Sequence, residues 1–196
     1  TSLTQDEMVG TIDLIMQGVC AEDDIRAFLL ALVGKGETVA EIAGAAAAMR
    51  KHMTILESSR DDLVDTCGTG GDGSGTFNIS TAAALVAAGS GIAVEKHGNR
   101  SITSKTGSAD VLSELGVNIE ESVNVMQQSL EEAGICFCFA PLFHPAMRHV
   151  GPVRRSIEVP TIFNLLGPLC NPARAPYQLL GVSKPALRTR LSAALA

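Results

Sequence analysis

The sequence predicts an α/β fold, a small helical domain beside a parallel-sheet α/β domain, and three observations carry that prediction. Residues 1–60 hold apolar positions at helical spacing and no alternating pattern. After Asp61 short apolar stretches alternate with helical segments, the pattern of parallel strands joined by crossover helices. A glycine-rich turn joins the first of those strands to a helix.

The elements follow in order. Thr4 with Glu7 forms a capping box, and Met8, Ile12 and Ile15 recur on one helical face until Gly18. A second helix is expected over 22–33, ended by Gly34 and Gly36. A third opens at a second capping box, Thr38 with Glu41, and runs through alanines to Met49. Strands are expected at 63–65, 91–95, 135–140 and 177–182, and helices at 81–88, 109–115, 122–133 and from 186 onward. Residues 96–108 read as a polar loop. Residues 144–172, rich in Pro and Arg, interrupt the rhythm as a helical insert. The division expected is 1–60 as the helical domain with 144–172 packing on it, and 61–143 with 173–196 as the α/β domain. Four strands make a small sheet and the last helix has no strand to return to, so the α/β domain reads as incomplete at its C-terminal end.

Composition narrows the function. The chain has 196 residues, 46% hydrophobic and 18% charged, which suits a globular protein. A net charge of -6 argues against a nucleic-acid partner, which draws on a basic surplus. No apolar run is long enough to span a membrane. The five cysteines are scattered without the company zinc requires, so they read as buried, reduced thiols of a cytoplasmic protein.

The candidate chemistry sits at residues 68–75, where five glycines occur in eight positions between a strand and a helix. Glycines admit positive φ and bring N–H groups close to an anion. Asn78, Ser80 and Thr81 then place polar side chains where the helix dipole favours phosphate. The P-loop's Lys-Ser/Thr pair is missing. Gly68, Gly70 and Gly73 match the dinucleotide pattern G-x-G-x-x-G, but residues 74–77 still separate the last glycine from the helix caps. Asp72 would repel a phosphate directly, which suggests magnesium between the two.

Several separated motifs carry a resemblance. Asp65-Thr-Cys-Gly-Thr-Gly-Gly-Asp-Gly73 with Thr76-Phe-Asn-Ile-Ser-Thr81, Lys96-His-Gly-Asn-Arg100, Lys105-Thr-Gly-Ser-Ala-Asp110, His144-Pro-Ala-Met147 and Thr161-Ile-Phe-Asn-Leu-Leu-Gly-Pro168 resemble the anthranilate phosphoribosyltransferase family along essentially the whole chain. The resemblance implies transfer of the phosphoribosyl group of 5-phosphoribosyl 1-diphosphate to the amine of anthranilate, with Mg²⁺, in tryptophan biosynthesis. It implies the nucleoside phosphorylase-like fold and a homodimer formed through the helical domain. It implies a diphosphate-sugar site at Gly68, Gly71, Asp72, Thr76, Asn78, Ile79, Ser80, Thr81, Lys96, His97, Gly98, Asn99, Arg100, Ser101, Ile102, Thr103, Ser104 and Ser108. Gly68, Asn99 and Arg154 fall to anthranilate, and Ser80 to the metal. The family's acidic metal ligands, an Asp-Glu pair, lie beyond Ala196. A pyrimidine nucleoside phosphorylase-like enzyme, an inactive fragment and a silent nucleic-acid-binding relative are the alternatives; the first has a different loop, Lys-x-Ser-Thr-Gly-Gly. His97 is read as a positioning group, because the aromatic amine is already neutral at physiological pH. His144 is read as a further candidate at the acceptor's entrance.

Overall fold

The computed structural model describes every residue except 72, 74 and 102–105. In chain order its elements are helices α1 (Gln5–Gln17), α2 (Glu22–Lys35) and α3 (Val39–Lys51), strand β1 (Val64–Gly68), α4 (Ile79–Gly89), β2 (Val94–Gly98), α5 (Ser108–Glu114), α6 (Val123–Ala133), β3 (Ile135–Phe139), α7 (Ala140–Phe143), α8 (Gly151–Ser156), α9 (Phe163–Leu166), β4 (Tyr177–Gly181) and α10 (Pro185–Leu195). They form two units, residues 1–53 with 144–170 and 184–196, and residues 54–143 with 171–183.

Both capping boxes read from the sequence are present in the helical unit. Thr4 N donates to Glu7 Oε2 at 2.8 Å and Glu7 N to Thr4 Oγ1 at 3.3 Å. Thr38 N donates to Glu41 Oε2 at 2.8 Å and Glu41 N to Thr38 Oγ1 at 3.2 Å. Met8, Ile12 and Ile15 line the buried face of α1, and Ile42, Ala45, Ala48 and Met49 that of α3. The two helices approach closely at Gly44, where a Cβ would come within 2.5 Å of the Gln5 carbonyl oxygen. Residues 184–196, expected with the α/β part, belong instead to the helical unit. There α10 packs on α3, buries Leu191 and donates from Arg190 Nη1 to Glu37 O at 3.0 Å.

The second unit is built on a four-stranded, wholly parallel sheet in the order β3-β2-β1-β4. Strands β1 and β4 pair from Val64↔Tyr177 to Gly68↔Gly181, and β2 with β3 from Val94↔Ile135 to Gly98↔Phe139. Met126 and Leu130, one turn apart on α6, pack with Leu56, Leu63, Ala93, Cys136, Cys138 and Phe143. Ala109 and Leu112 of α5 close a second cluster with Ile119 and Phe139. Gly134 takes a left-handed turn at φ 71°, so α6 runs directly into β3. The second strand starts three residues later than expected and carries Lys96, His97 and Gly98, which the sequence places in a loop. The physical reason is burial: Lys96 and His97 are 3% and 7% exposed despite their polarity.

Candidate active site

Strand β1 delivers the chain into the glycine turn at the C-terminal edge of the sheet, where open parallel sheets bind ligands. Gly70, Gly71, Gly73 and Gly75 all have φ between 65° and 70°, a region that side chains strongly disfavour. The glycines are therefore required by the path of the loop. Thr69 pins its entrance: its N–H donates to Gly181 O at 3.0 Å, and its hydroxyl meets Ser183 Oγ at 3.1 Å. Gly68 faces the same neighbour, since a Cβ there would sit 3.3 Å from Gly181 O.

The loop ends at α4, which begins at Ile79, after the last glycine and not inside the motif. Thr81 N and Ala82 N donate to the Asn78 carbonyl at 3.1 and 3.0 Å. Thr76, Phe77 and Ile79 are exposed, Asn78 and Ser80 half-buried and Thr81 buried. Asn78 Nδ2 reaches Thr106 Oγ1 at 2.9 Å and so links this turn to the segment after β2. Asp72, Ile102, Thr103 and Ser104, expected to meet the diphosphate, lie outside the described residues.

Lys96 reaches from β2 to β1, where its ammonium donates to Thr66 O at 2.6 Å. Burial lowers its pKa, while the carboxylate of Asp65, and less so Cys67 and Glu95, push it back up. Asp65 and Glu95 are both fully buried. Burial raises the Asp65 pKa against hydrogen bonds from Gln178 and Asn171; Gln178 Nε2 donates to Oδ2 at 3.1 Å. Burial, reinforced by Asp65, pushes Glu95 up to about 8. Glu95 is thus held toward its neutral form near neutral pH, while Asp65 accepts the Gln178 amide. Burial also raises the Cys67 and Cys138 thiols, so neither is a ready nucleophile.

Beyond β2, Asn99 and Arg100 are exposed at the head of the next turn. Gly98 and Ser108 approach each other, since a Cβ on Gly98 would lie 2.7 Å from Ser108 Oγ. Asp110 Oδ2 accepts from Ser101 N at 2.9 Å and from Gly107 N at 2.7 Å. One carboxylate therefore ties both ends of the 101–107 segment. Its pKa is lowered by those two N–H groups, Ser101 first. Arg100 Nη1 lies 3.3 Å from Asp110 Oδ1, and the guanidinium sits 5.7 Å from the Phe139 ring centroid.

Arg154 belongs to the helical unit, on α8, half-buried, with its guanidinium 5.7 Å from the Phe163 ring centroid. Burial lowers its pKa, and a poorly hydrated guanidinium is primed for a planar anion. His144, in the same unit, is 7% exposed; burial holds it down at about 4 despite a hydrogen bond with the Cys170 backbone, so it is neutral at physiological pH.

Sequence reasoning grouped the glycine turn, the start of α4 and β2 into one expected site but assigned no role to Thr66, Asp65 or Asp110. Asp110 had a readable signal, an acid three residues into a helix that follows a glycine. The buried polar pairs had none, because their partners are distant in sequence.

Two domains of one family match this arrangement. The helical bundle domain of the glycosyl transferase family matches residues 1–53, and its a/b domain matches residues 60–196. The chain is 57% identical over 194 residues to anthranilate phosphoribosyltransferase of Rhodopirellula baltica, covering 99% of this chain and 57% of that protein. The crystal structure of anthranilate phosphoribosyltransferase from Thermus thermophilus matches with a TM-score of 0.94 at 46% identity, over 100% of this chain and 59% of that one. The Saccharomyces cerevisiae enzyme in complex with PRPP and Mg matches at 0.90 and 30% identity, over 98% of this chain and 57% of that one. The chain thus spans somewhat more than half the length of the relatives it resembles. Because the a/b domain match alone runs from residue 60 to residue 196, the protein belongs to the glycosyl transferase family.

Proposed function

We propose that this chain carries the phosphoribosyl-diphosphate-binding part of an anthranilate phosphoribosyltransferase. The observation that supports this most is the turn of four left-handed glycines that leads from a parallel strand into a helix start bearing Asn78, Ser80 and Thr81. Its exposed N–H groups and the positive end of the α4 dipole suit a diphosphate. The yeast relative bound to PRPP and Mg supports the same ligand here.

The residues fit magnesium as a shared guest of protein and substrate. Ser80 offers a hard hydroxyl oxygen, and no three His, Cys, Asp or Glu side chains gather into a metal site among the described residues. Magnesium usually takes only one or two ligands from protein and the rest from substrate phosphates and water, so the Ser80 hydroxyl suits it as one such ligand. When bound, magnesium neutralises the negative charge that builds on the departing diphosphate.

The chain's own groups supply position and electrostatics. The Gly68–Gly75 turn and the residues from Thr76 to Thr81 cradle the diphosphate. Lys96 holds positive charge under the cradle, with His97 beside it on β2. The residues from Gly98 to Ser108, closed by Asp110, cover the phosphoribosyl moiety. Within the α/β unit, Gly68 and Asn99 align the amine with the anomeric carbon. The amine attacks as a neutral nucleophile, so no strong general base is required. Leu14, Val19 and Leu30, exposed on the helical unit, support a homodimer formed there, and the free cysteines support a cytoplasmic location.

Calorimetric titration of phosphoribosyl diphosphate into the chain, with and without magnesium, tests the proposal. Magnesium-dependent binding that weakens at least about tenfold in Asp72→Ala, by loss of a charge-assisted contact, is expected. A folded chain that binds nothing, and still binds nothing when extended at its C-terminus, refutes the phosphate-binding reading.

A further inference from the structure

Thr66 lies midway along β1, 4% exposed, and its two polar groups reach in different directions. Its hydroxyl donates to the carbonyl of Ser80, in the first turn of α4, at 2.6 Å. Its carbonyl accepts the Lys96 ammonium from β2, also at 2.6 Å. Strand β1 pairs with β4 from Val64↔Tyr177 to Gly68↔Gly181 and with β2 at Val64↔Val94, and the Lys96–Thr66 bond adds a side-chain link between β1 and β2.

We propose that Thr66 is a positioning residue which fixes the distance between the Ser80 hydroxyl and the Lys96 ammonium, and hence between the metal and phosphate contacts of the site. Thr66 reaches no ligand itself. It acts through the two elements it joins, α4 and β2, which also touch each other directly. The proposal deepens the phosphate-site reading and rests on it. The link from Thr66 to α4 can nevertheless be tested without any ligand.

Three chains would be compared: wild type, Thr66→Val, which keeps the shape and removes the donor, and Thr66→Ser, which keeps the donor and removes a methyl group. Hydrogen exchange of the peptide covering residues 78–84 is measured in the unliganded chain, and magnesium-phosphoribosyl diphosphate affinity by calorimetry. Thr66→Val should exchange faster in that peptide and bind about tenfold more weakly, the worth of one buried hydrogen bond. Thr66→Ser should restore both, which a purely packing role would not allow. Unchanged exchange in Thr66→Val, equal damage in Thr66→Ser, or unchanged affinity in a Thr66→Val chain whose wild type binds would each overturn the proposal. A wild-type chain that binds nothing but shows the exchange pattern keeps Thr66 as the brace of α4 and strikes the phosphate reading instead.

Discussion

Replacing Glu95 with glutamine should stabilise the α/β unit, and increasingly so as pH rises. Glu95 is fully buried beside Asp65, and what contact it has with Cys138 and Asn171 only partly offsets that burial. Its folded-state pKa of about 8 stands above the ordinary 4.5. A carboxyl raised in this way favours the folded state fully below pH 4.5, and that favour is lost as pH climbs toward 8. At about 1.4 kcal/mol per pH unit, the wild-type unit forfeits about 3 kcal/mol between pH 5 and pH 8. Glutamine has nearly the same shape, cannot ionise and can offer its N–H₂ to Asp65 Oδ1, which lacks a donor among the described residues. The chain has one tyrosine, Tyr177 on β4, and no tryptophan, so intrinsic fluorescence reports on this unit alone. In urea melts the variant's midpoint should exceed that of wild type by about 1 M or more at pH 8, given a slope of about 1–3 kcal/mol/M, and by little at pH 5. A midpoint difference that is the same at both pH values would refute the reasoning, because it would mean that Glu95 stays in one protonation state throughout.

Two further perturbations probe other contacts. In Gly107→Ala the new Cβ would lie 2.5 Å from Asn99 O and from Ser101 N, both backbone atoms, so the turn must shift at a cost of about 1–3 kcal/mol; faster hydrogen exchange at Ser101 and weaker calorimetric binding of magnesium-phosphoribosyl diphosphate are expected. Burial would raise the Glu41 pKa, but the Lys35 ammonium at 2.7 Å and the Leu3 and Thr38 N–H groups hold it at about 2. Its contribution, about 3 kcal/mol, is therefore complete above pH 4.5 and lost as pH falls through about 2. Glu41→Gln should lower the unfolding midpoint at pH 7 and flatten the acid limb of a far-UV circular dichroism titration between pH 5 and pH 2.

What could be read from the sequence was what local chemistry dictates. Thr4 with Glu7 and Thr38 with Glu41 were legible because each box closes over three residues. The glycine turn was legible because four of its five glycines adopt dihedrals that few other residues accept. Lys96 and His97 misled because two polar residues after an apolar run resemble a loop, and only tertiary burial makes them a strand. The residues after 184 fall within the a/b domain match, while the contacts of α10 are with α3 and the Glu37 carbonyl, which lie more than 130 residues earlier and leave no local mark. Thr66 carries its role in bonds to Ser80 and Lys96 that a single-chain pattern does not mark.

The order of strands also bears on how the chain is made. Asp65 on β1 is partnered by Gln178 on β4, 113 residues later, while β2 and β3 arrive soon after β1. During synthesis, therefore, β1, β2 and β3 emerge well before the strand that lends the buried carboxylate its amide partner. Until then β1 is a sheet edge with exposed backbone groups, a form prone to mispairing. Closing so long a loop slows folding more than it costs stability. The nascent α/β unit is thus most vulnerable to aggregation between the emergence of β3 and that of β4. A chain stalled on the ribosome in that interval would hold Asp65 without Gln178, and the emergence of β4 would be the event that gives the carboxylate its partner.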